Sequence, residues 1–375
     1  MTRLPHASPE ELNLDPRRLE SAFDRLEEWT SGPRPAIPGG AILVGRGGKT
    51  LPPRFFGRQT QAPSGPPIRQ DAVFLMASLT KPIVYMGALL LVERGLLNLS
   101  DPVTRYIPEF AAHHKDPTLV VHLFTHTSGL PDMLENDREL RASHAPLSRF
   151  IEGAIRDTVP LFPAGTDFSY QSMGTLVVAE IIQRITGQSI HEYLQRQIFQ
   201  PLGLESTRLG SQGLDEARIV EVQTPDWHGP DFGWNSPYWR RLGAPWGTLF
   251  STPEEFAVLC QLMLQGGAVG RVRLLSPGTV RQMTTSRLDD QVELPERVRR
   301  GSPWGLGWKI NVPGSPGALC DLLGRQVFGH TGSTGNLVWL DPASGAFCIL
   351  FTTAERARAP WRLVHLSNAV AAAVL

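Results

Sequence analysis

The chain has 375 residues, and its 36 basic and 36 acidic side chains give a formal net charge of zero. This balance gives no reason to expect nucleic acid or an anionic membrane surface as a partner. Hydrophobic residues make up 41% of the chain, which is enough for a substantial core and excludes an intrinsically disordered protein. The length suits one large domain or two intermeshed ones.

The cysteines and the apolar segments exclude several further classes. Cys260, Cys320 and Cys348 are scattered and lack metal-ligand spacing, so we expect reduced thiols, no structural zinc or other metal, and no cofactor. The N-terminal residues 1–14 have no apolar core and do not resemble a signal peptide. The most apolar stretch, residues 83–92, is too short to span a bilayer. We therefore expect a cytoplasmic protein without membrane contact.

The N-terminal third combines helices with an early strand. Asp15 followed by Pro16 is typical of a helix start, with an N-cap and a proline in the first turn. Residues 39–45 predict a buried strand that ends in a glycine-rich turn, and residues 52–67 predict an irregular loop. A long helix should begin at Ser78 and run to about residue 95.

The remaining two thirds change from helices to strands. Up to about residue 200 the hydrophobic pattern is mostly helical, with amphipathic segments at 147–155, 173–185 and 190–198. From residue 305 the pattern is typical of an antiparallel meander, with strands at 306–312, 326–329, 337–340 and 347–352. A last helix should cover about residues 361–374.

These elements predict an α/β fold of the α+β sandwich type. Strands from both ends of the chain most simply form one antiparallel sheet, which helices flank. The mostly helical middle is then an inserted subdomain. We expect a discontinuous sandwich domain at residues 1–85 and 240–375, a helical subdomain at residues 86–239, and an active site at their junction.

The first candidate for chemistry is the S-x-x-K sequence from Ser78 to Lys81, at the start of a predicted helix. Residues three apart share one helical face, so the lysine amine should lie over the serine hydroxyl. A serine nucleophile needs a base, and a lysine can serve if burial lowers its pKa. A surface turn that matches the pattern by chance remains an equal alternative on this motif alone.

The second candidate is Tyr170, which precedes the amphipathic helix at 173–185. A phenol near ammonium groups can have a pKa below its ordinary value of about 10, which would suit a proton shuttle. Taken alone, the pattern favours a capping turn with a packed aromatic ring.

The third candidate is the sequence GHTGSTG at residues 329–335, which ends one predicted strand and opens the next. Its glycines allow a substrate to approach the strand edge closely. His330, Thr331 and Gly332 are candidates for substrate binding, and the Ser333 amide is a candidate oxyanion donor. A plain glycine-rich hairpin turn explains the sequence equally well.

Competing motifs are weak. The chain has no G-x-S-x-G, which excludes the nucleophile elbow of an α/β-hydrolase. Residues 45–50 imitate a phosphate-binding loop, but Leu43 stands where its first glycine should be, so a hairpin turn is the better interpretation.

The order and wide spacing of the three motifs resemble those of the penicillin-recognising serine hydrolases, in which S-x-x-K, a tyrosine or serine motif and a K/H-T-G strand converge on one site. The chain is similar to the branch with class C β-lactamases, family VIII carboxylesterases, D-aminopeptidases and D,D-peptidases, from about residue 14 to the C-terminus. The resemblance implies that Ser78 is the nucleophile, Lys81 its partner and Tyr170 the general acid and base. It also implies an oxyanion hole at the amides of Ser78 and Ser333.

Aromatic residues cluster among prolines and glycines in residues 227–246. They anchor a long loop or form the apolar wall of a ligand pocket. The resemblance places this stretch near the active site, so Trp246 is a further candidate for substrate binding.

One position departs from the family pattern. The tyrosine motif of the lactamases and peptidases is Tyr-x-Asn, and its asparagine binds the amide side chain of the substrate. Ser172 stands there in this chain, and a hydroxyl cannot make the same two-ended contact. We therefore expect a serine hydrolase that forms an acyl-enzyme, specifically a carboxylesterase for small acyl esters. Two alternatives stay open: a D-amino-acid peptidase, D,D-peptidase or β-lactamase, and a catalytically silent binding protein on the same fold.

Overall fold

A computed structural model describes residues 3–375. In this part of the chain the α-helices are α1 (Pro16–Thr30), α2 (Thr80–Glu93), α3 (Val120–Thr125), α4 (Asp137–Ala142), α5 (Leu147–Arg156), α6 (Met173–Thr186), α7 (Ile190–Leu194), α8 (Gln200–Leu202), α9 (Pro237–Leu242), α10 (Pro253–Leu264), α11 (Pro277–Thr284), α12 (Glu296–Gly301) and α13 (Trp361–Ala371). The strands are β1 (Gly39–Arg46), β2 (Lys49–Thr50), β3 (Arg54–Gly57), β4 (Phe74–Leu75), β5 (Arg208–Leu209), β6 (Leu249–Ser251), β7 (Ala268–Val269), β8 (Val272–Arg273), β9 (Lys309–Ile310), β10 (Phe328–Gly332), β11 (Asn336–Asp341) and β12 (Ala346–Thr352).

The main sheet joins the two ends of the chain. Its seven antiparallel strands run in the order β2-β1-β12-β11-β10-β9, with β3 also paired to β1. The central pairing sets Gly40 opposite Thr352 and Arg46 opposite Ala346. This arrangement confirms the predicted antiparallel sheet of N- and C-terminal strands in a mixed fold of helices and strands.

Two hydrophobic cores lie on opposite faces of this sheet. Successive side chains of a strand point to opposite faces. Along β1, Ala41 and Leu43 accordingly belong to the core shared with the helical middle of the chain. Ile42 and Val44 belong to the core under α1 and α13. The first core continues from the sheet into the helical middle, and the division into two domains stays a prediction.

The structure corrects two element predictions. Residues 52–67 are not wholly irregular, because Arg54–Gly57 forms β3 along one edge of β1. Flanking prolines and glycines make this four-residue strand difficult to recognise in the sequence. Pairing with β1 stabilises it despite a low local strand propensity. The predicted strand at 306–312 is reduced to Lys309–Ile310, since only these residues reach β10.

The start of α1 follows the predicted capping, and the start of α2 differs from the prediction. The Asp15 carboxylate accepts hydrogen bonds from the amides of Arg17 and Arg18, and it begins α1 as expected. The helix predicted from Ser78 begins instead with a 3₁₀ turn at Ala77–Leu79 and becomes α-helical at Thr80.

Among residues 3–375, no helix has both the length and the apolar character needed to cross a membrane.

Candidate active site

Ser78 lies in a strained turn between β4 and α2. The residue before it, Ala77, has a φ of 47°, in the left-handed region that non-glycine residues rarely adopt. Such backbone strain persists only where surrounding contacts fix it, and it occurs often at functional sites. We call residues 75–79 the Ser78 turn.

Hydrogen bonds from distant segments hold the Ser78 turn in place. The Leu75 carbonyl accepts from Asn336 Nδ2 at 2.8 Å and from Thr334 Oγ1 at 2.9 Å. The Thr80 hydroxyl donates to the Ala77 carbonyl at 2.6 Å and accepts from the Leu249 amide at 3.0 Å. The hairpin of β10 and β11 and strand β6 are therefore bonded directly to the turn that presents Ser78.

Lys81 is completely buried below Ser78. Its Nζ is hydrogen-bonded to Ser78 Oγ at 3.0 Å and donates to the Trp246 carbonyl at 3.1 Å. Burial lowers the pKa of Lys81 to about 8, against the opposing effect of the Asp132 carboxylate. A neutral amine at this position can accept the Ser78 proton.

Tyr170 is stacked beside the Ser78–Lys81 pair. Lys81 Nζ lies 4.8 Å from the centre of the Tyr170 ring. The Tyr170 hydroxyl is buried and makes no well-formed hydrogen bond within residues 3–375, although Ser78 is close enough to favour the ionised phenol. Burial outweighs this effect and raises the pKa of Tyr170 above its ordinary value. The expectation of a lowered phenol pKa is therefore wrong, and Tyr170 keeps its proton in the resting site.

His330 is 3% exposed on β10, and its ring faces Tyr170 across 6.1 Å. Its Nδ1 lies 2.7 Å from the Thr331 carbonyl oxygen. A carbonyl only accepts, so Nδ1 carries the proton and the buried Nε2 presents a lone pair. Burial, assisted by the Lys81 charge, lowers the pKa of His330 to about 3, so the ring is neutral.

The Ser78 and Ser333 amides border the same cavity. Among residues 3–375 neither amide donates a backbone hydrogen bond. Gly332 brings the two segments together, because a Cβ at this position would lie 2.6 Å from the Met76 carbonyl oxygen. Free amides from two closely packed segments suit a developing oxyanion.

The cavity over Ser78, which we call the active-site cavity, has a volume of about 460 Å³. Thr331, Ser172 and Trp246 border it together with Ser78, Tyr170 and His330. Lys81, which contacts Ser78 from below, and Gly332, a predicted substrate-binding residue, are not part of this lining. Trp246 is 4% exposed, and its carbonyl holds Lys81. Five tryptophans line the cavity: Trp227, Trp234, Trp239, Trp246 and Trp304.

Sequence reasoning missed Asp132, which follows α3 and lines the active-site cavity. Ser172 Oγ donates to Asp132 Oδ1 at 2.7 Å, and the Ser172 amide donates to the Asp132 carbonyl at 3.2 Å. The hydroxyl at the third position of the tyrosine motif is thus engaged by a carboxylate. No local motif marks this pair, because 40 residues separate its members.

Two further cations missed in the sequence, Lys309 and Arg356, also line the cavity. Burial lowers the pKa of Lys309 to about 8, and the nearby Arg356 charge acts in the same direction. No carboxylate within residues 3–375 forms a salt bridge with either side chain. In the same range, no cluster of three or more His, Cys, Asp or Glu side chains could hold a metal ion.

This fold, with Ser78 and Tyr170 lining one cavity and Lys81 buried beneath Ser78, is that of the β-lactamase and penicillin-binding-protein class of serine hydrolases. The Beta-lactamase family matches residues 19–370, and the chain belongs to that family. The family consists of serine hydrolases that act on small ester or amide substrates, among them esterases, peptidases and β-lactamases.

Several relatives show the range of this family. A Caulobacter crescentus penicillin-binding-protein homologue has a TM-score of 0.77 and 23% identity, covering 96% of this chain and 98% of its own. A family VIII carboxylesterase has a TM-score of 0.74 and 19% identity, covering 97% of this chain and 98% of its own. A Salmonella paratyphi B protein, described provisionally as a D-alanyl-D-alanine carboxypeptidase, is 27% identical over 373 residues, covering 90% of this chain and 83% of its own.

The close approach at Gly332 generates a test of the site geometry. Gly332→Ala should reduce kcat/KM for any substrate by at least about a hundredfold, near 2.7 kcal/mol, because the added Cβ must displace the Met76 carbonyl and the Ser78 turn with it. Steady-state kinetics and a melting curve would measure this. Gly301→Ala is the control, since nothing lies within 4 Å of its added Cβ. Near-normal kinetics in a folded Gly332→Ala protein would contradict the proposed packing.

Proposed function

We propose that this protein is a carboxylesterase for small acyl esters that acts through an acyl-enzyme on Ser78. The observation that carries the proposal is the 3.0 Å contact between Ser78 Oγ and the buried amine of Lys81. The engaged Ser172 hydroxyl supports ester over β-lactam or peptide substrates, since no amide side chain is present there to bind a substrate amide. A cytoplasmic location stays a prediction.

In the proposed acylation step, neutral Lys81 accepts the proton of Ser78 as Oγ attacks the ester carbonyl. The Trp246 carbonyl, which accepts an N–H of Lys81, orients the lysine lone pair toward the serine. The amides of Ser78 and Ser333 stabilise the negative oxygen of the tetrahedral intermediate. Preorganised amides are effective because they need no reorientation when the charge develops.

Tyr170 completes the proposed proton transfer. Its protonated phenol donates to the oxygen of the leaving alcohol, and the ammonium of Lys81 returns a proton to the phenolate. His330, whose ring centre lies 6.1 Å from that of Tyr170, stays neutral beside this region and does not exchange protons with it. In deacylation, a water molecule attacks the acyl-enzyme, and the proton transfers run in the reverse direction. The acid is released and Ser78 is regenerated.

A second candidate function is hydrolysis of a D-amino-acid peptide. The cations Lys309 and Arg356, which line the cavity without a carboxylate partner in residues 3–375, favour it, because a peptide ends in a carboxylate. The provisional description of the Salmonella relative agrees with this alternative.

A substrate panel separates the candidates. We expect short-chain p-nitrophenyl esters to be hydrolysed faster than nitrocefin and D-Ala-p-nitroanilide, because neither an amide side chain at Ser172 nor a charged His330 favours the amide substrates. Ser78→Ala should abolish turnover, and a fluorophosphonate should label wild type once, on the peptide with Ser78. Faster hydrolysis of nitrocefin or of the anilide than of the esters would favour the peptidase or β-lactamase alternative. Labelling of a different serine, or no labelling at all, would reject the acyl-enzyme mechanism on Ser78.

The lowered pKa of Lys81 generates a pH prediction. Burial favours the neutral amine, so the base form predominates above pH 8 and falls about tenfold for each pH unit below it. We expect kcat/KM for a neutral ester to rise with pH to a plateau above about pH 8.

Lys81→Arg should be nearly as damaging as Lys81→Ala, because arginine does not release its proton. If the Lys81→Arg protein keeps more than about a tenth of wild-type kcat, a loss below about 1.4 kcal/mol, then Lys81 acts through its charge and not as a base.

His330 provides an independent check of that pH profile. Its pKa of about 3 keeps the ring neutral where the enzyme is assayed, so the acid limb should belong to Lys81. His330→Gln retains an acceptor oxygen and should keep most of kcat/KM and the whole acid limb. A loss beyond about a hundredfold, near 2.7 kcal/mol, together with a missing acid limb would mean that the His330 ring ionises during catalysis.

A further inference from the structure

One wall of the active-site cavity carries an uncompensated negative charge. The Asp132 carboxylate is exposed to the cavity, and Ser172 Oγ fixes it through a 2.7 Å hydrogen bond to Oδ1. No Lys, Arg or His side chain in residues 3–375 forms a salt bridge with it. An ionised carboxylate only accepts hydrogen bonds, so this wall selects for donors and cations.

A second carboxylate behind Asp132 is buried with one oxygen unsatisfied. Asp137 is 6% exposed and lines the cavity, and its Oδ1 has no hydrogen-bond partner in the described part of the chain. Its Oδ2 lies 2.8 Å from Nε of Arg141, which is also buried. A buried polar atom without a partner is uncommon in a folded protein, and this one adds acceptor character to the cavity wall beside Asp132. Burial raises the pKa of the Asp137 carboxyl despite the Arg141 charge, so the exposed Asp132 carboxylate is the main source of negative charge here.

Aromatic rings complete this part of the cavity. Trp227 is 47% exposed, and both it and Trp234 pack edge-on against the His228 ring. Burial, assisted by the Arg141 charge, lowers the pKa of His228 to about 4, so this ring adds no positive charge. The faces of tryptophan rings attract ammonium groups, and the attraction is stronger where water is excluded. We call Asp132, Asp137, Trp227 and Trp234 the acidic aromatic wall.

The positively charged side chains near the acidic aromatic wall leave its preference for cationic ligands in place. Arg141 is paired with Asp137 and stacks over Trp239 at 3.9 Å, so its charge is already engaged, and it approaches Trp227 only to 5.8 Å from the ring centre. Lys81 acts in its neutral form in the proposed reaction, and then it does not repel a cation. The unpaired cations Lys309 and Arg356 accompany Thr331 and Ser333 in the lining of the cavity and belong to other elements than the wall.

We propose that the acidic aromatic wall binds an ammonium group of the substrate, so that the preferred esters carry a positive charge. The proposal rests on the proposed esterase function and narrows its substrate class. A carboxylate held by Ser172 replaces the two-ended amide that the family's asparagine would present. Asp132 and Ser78 line the same cavity, so a substrate whose cationic group binds Asp132 can present its ester carbonyl to Ser78.

Isosteric ester pairs test this proposal directly. The p-nitrophenyl esters of 4-(trimethylammonio)butanoic acid and of 5,5-dimethylhexanoic acid differ only in the exchange of N⁺ for carbon in the acyl half. Acetylcholine and 3,3-dimethylbutyl acetate differ in the same way in the alcohol half. Wild type should prefer the cationic member of at least one pair by about tenfold in kcat/KM, near 1.4 kcal/mol.

Charge-removing variants locate the preference. Asp132→Asn keeps an acceptor oxygen for Ser172 and should reduce the cation preference to within about twofold, near 0.4 kcal/mol. Glu135→Gln is the matched control, because it removes an exposed carboxylate three residues away that does not line the cavity, and it should keep the preference. Tetramethylammonium chloride should inhibit neutral-ester hydrolysis competitively in wild type, more than potassium chloride at equal ionic strength, and less in Asp132→Asn.

The failures of the two proposals are distinguishable. If neither ester pair is hydrolysed and the fluorophosphonate leaves Ser78 unlabelled, the esterase function itself is rejected. If both members of both pairs are hydrolysed equally well, the enzyme is an esterase and the ammonium site is rejected. An unchanged preference in a folded Asp132→Asn protein also overturns the assignment to this wall.

Discussion

The chemistry of this site depends on the burial of one amine without a counter-ion. Lys81 lies in the first turn of α2, a helix whose residues from Thr80 to Leu91 are all buried. Its partners are a serine hydroxyl and a backbone carbonyl, and neither compensates a full positive charge as a carboxylate would. Desolvation therefore exceeds the opposing field of Asp132 and moves the pKa of Lys81 to about 8. The packing that stabilises α2 also lowers the pKa of Lys81 toward the pH range in which, in the proposed mechanism, its neutral amine accepts the Ser78 proton.

A second constraint is the strain at Ala77, which local sequence cannot maintain. Its left-handed conformation costs about 1 kcal/mol or more, and hydrogen bonds from residues far along the chain offset that cost. Thr334 and Asn336 bond to Leu75, and Gly332 packs against Met76 without a side chain between them. The orientation of Ser78 is accordingly a property of the sheet and its edge hairpin rather than of the S-x-x-K sequence.

The parts that could be predicted from sequence are those that obey local rules. The spacing of Ser78 and Lys81, the cap at Asp15 and the buried strand at residues 39–45 each involve neighbours in the chain, and the structure contains all three. Features that depend on tertiary contact were missed: strand β3 forms because β1 offers an edge, and Asp132 reaches Ser172 across 40 residues. The Tyr170 pKa was predicted in the wrong direction, because the sequence shows nearby cations but not how deeply the hydroxyl is buried.

The pairing of β1 with β12 has a consequence for how the chain is made. Gly45 pairs with Phe347, so the first strand emerges from the ribosome about 300 residues before its central neighbour. At roughly 5–20 residues per second, that interval lasts about 15–60 s. Throughout it, a strand that is apolar on both faces has an open edge, which is a template for aggregation. Slow synthesis or a shortage of chaperones should therefore affect the yield of this protein more than that of a domain whose sheet closes between consecutive strands.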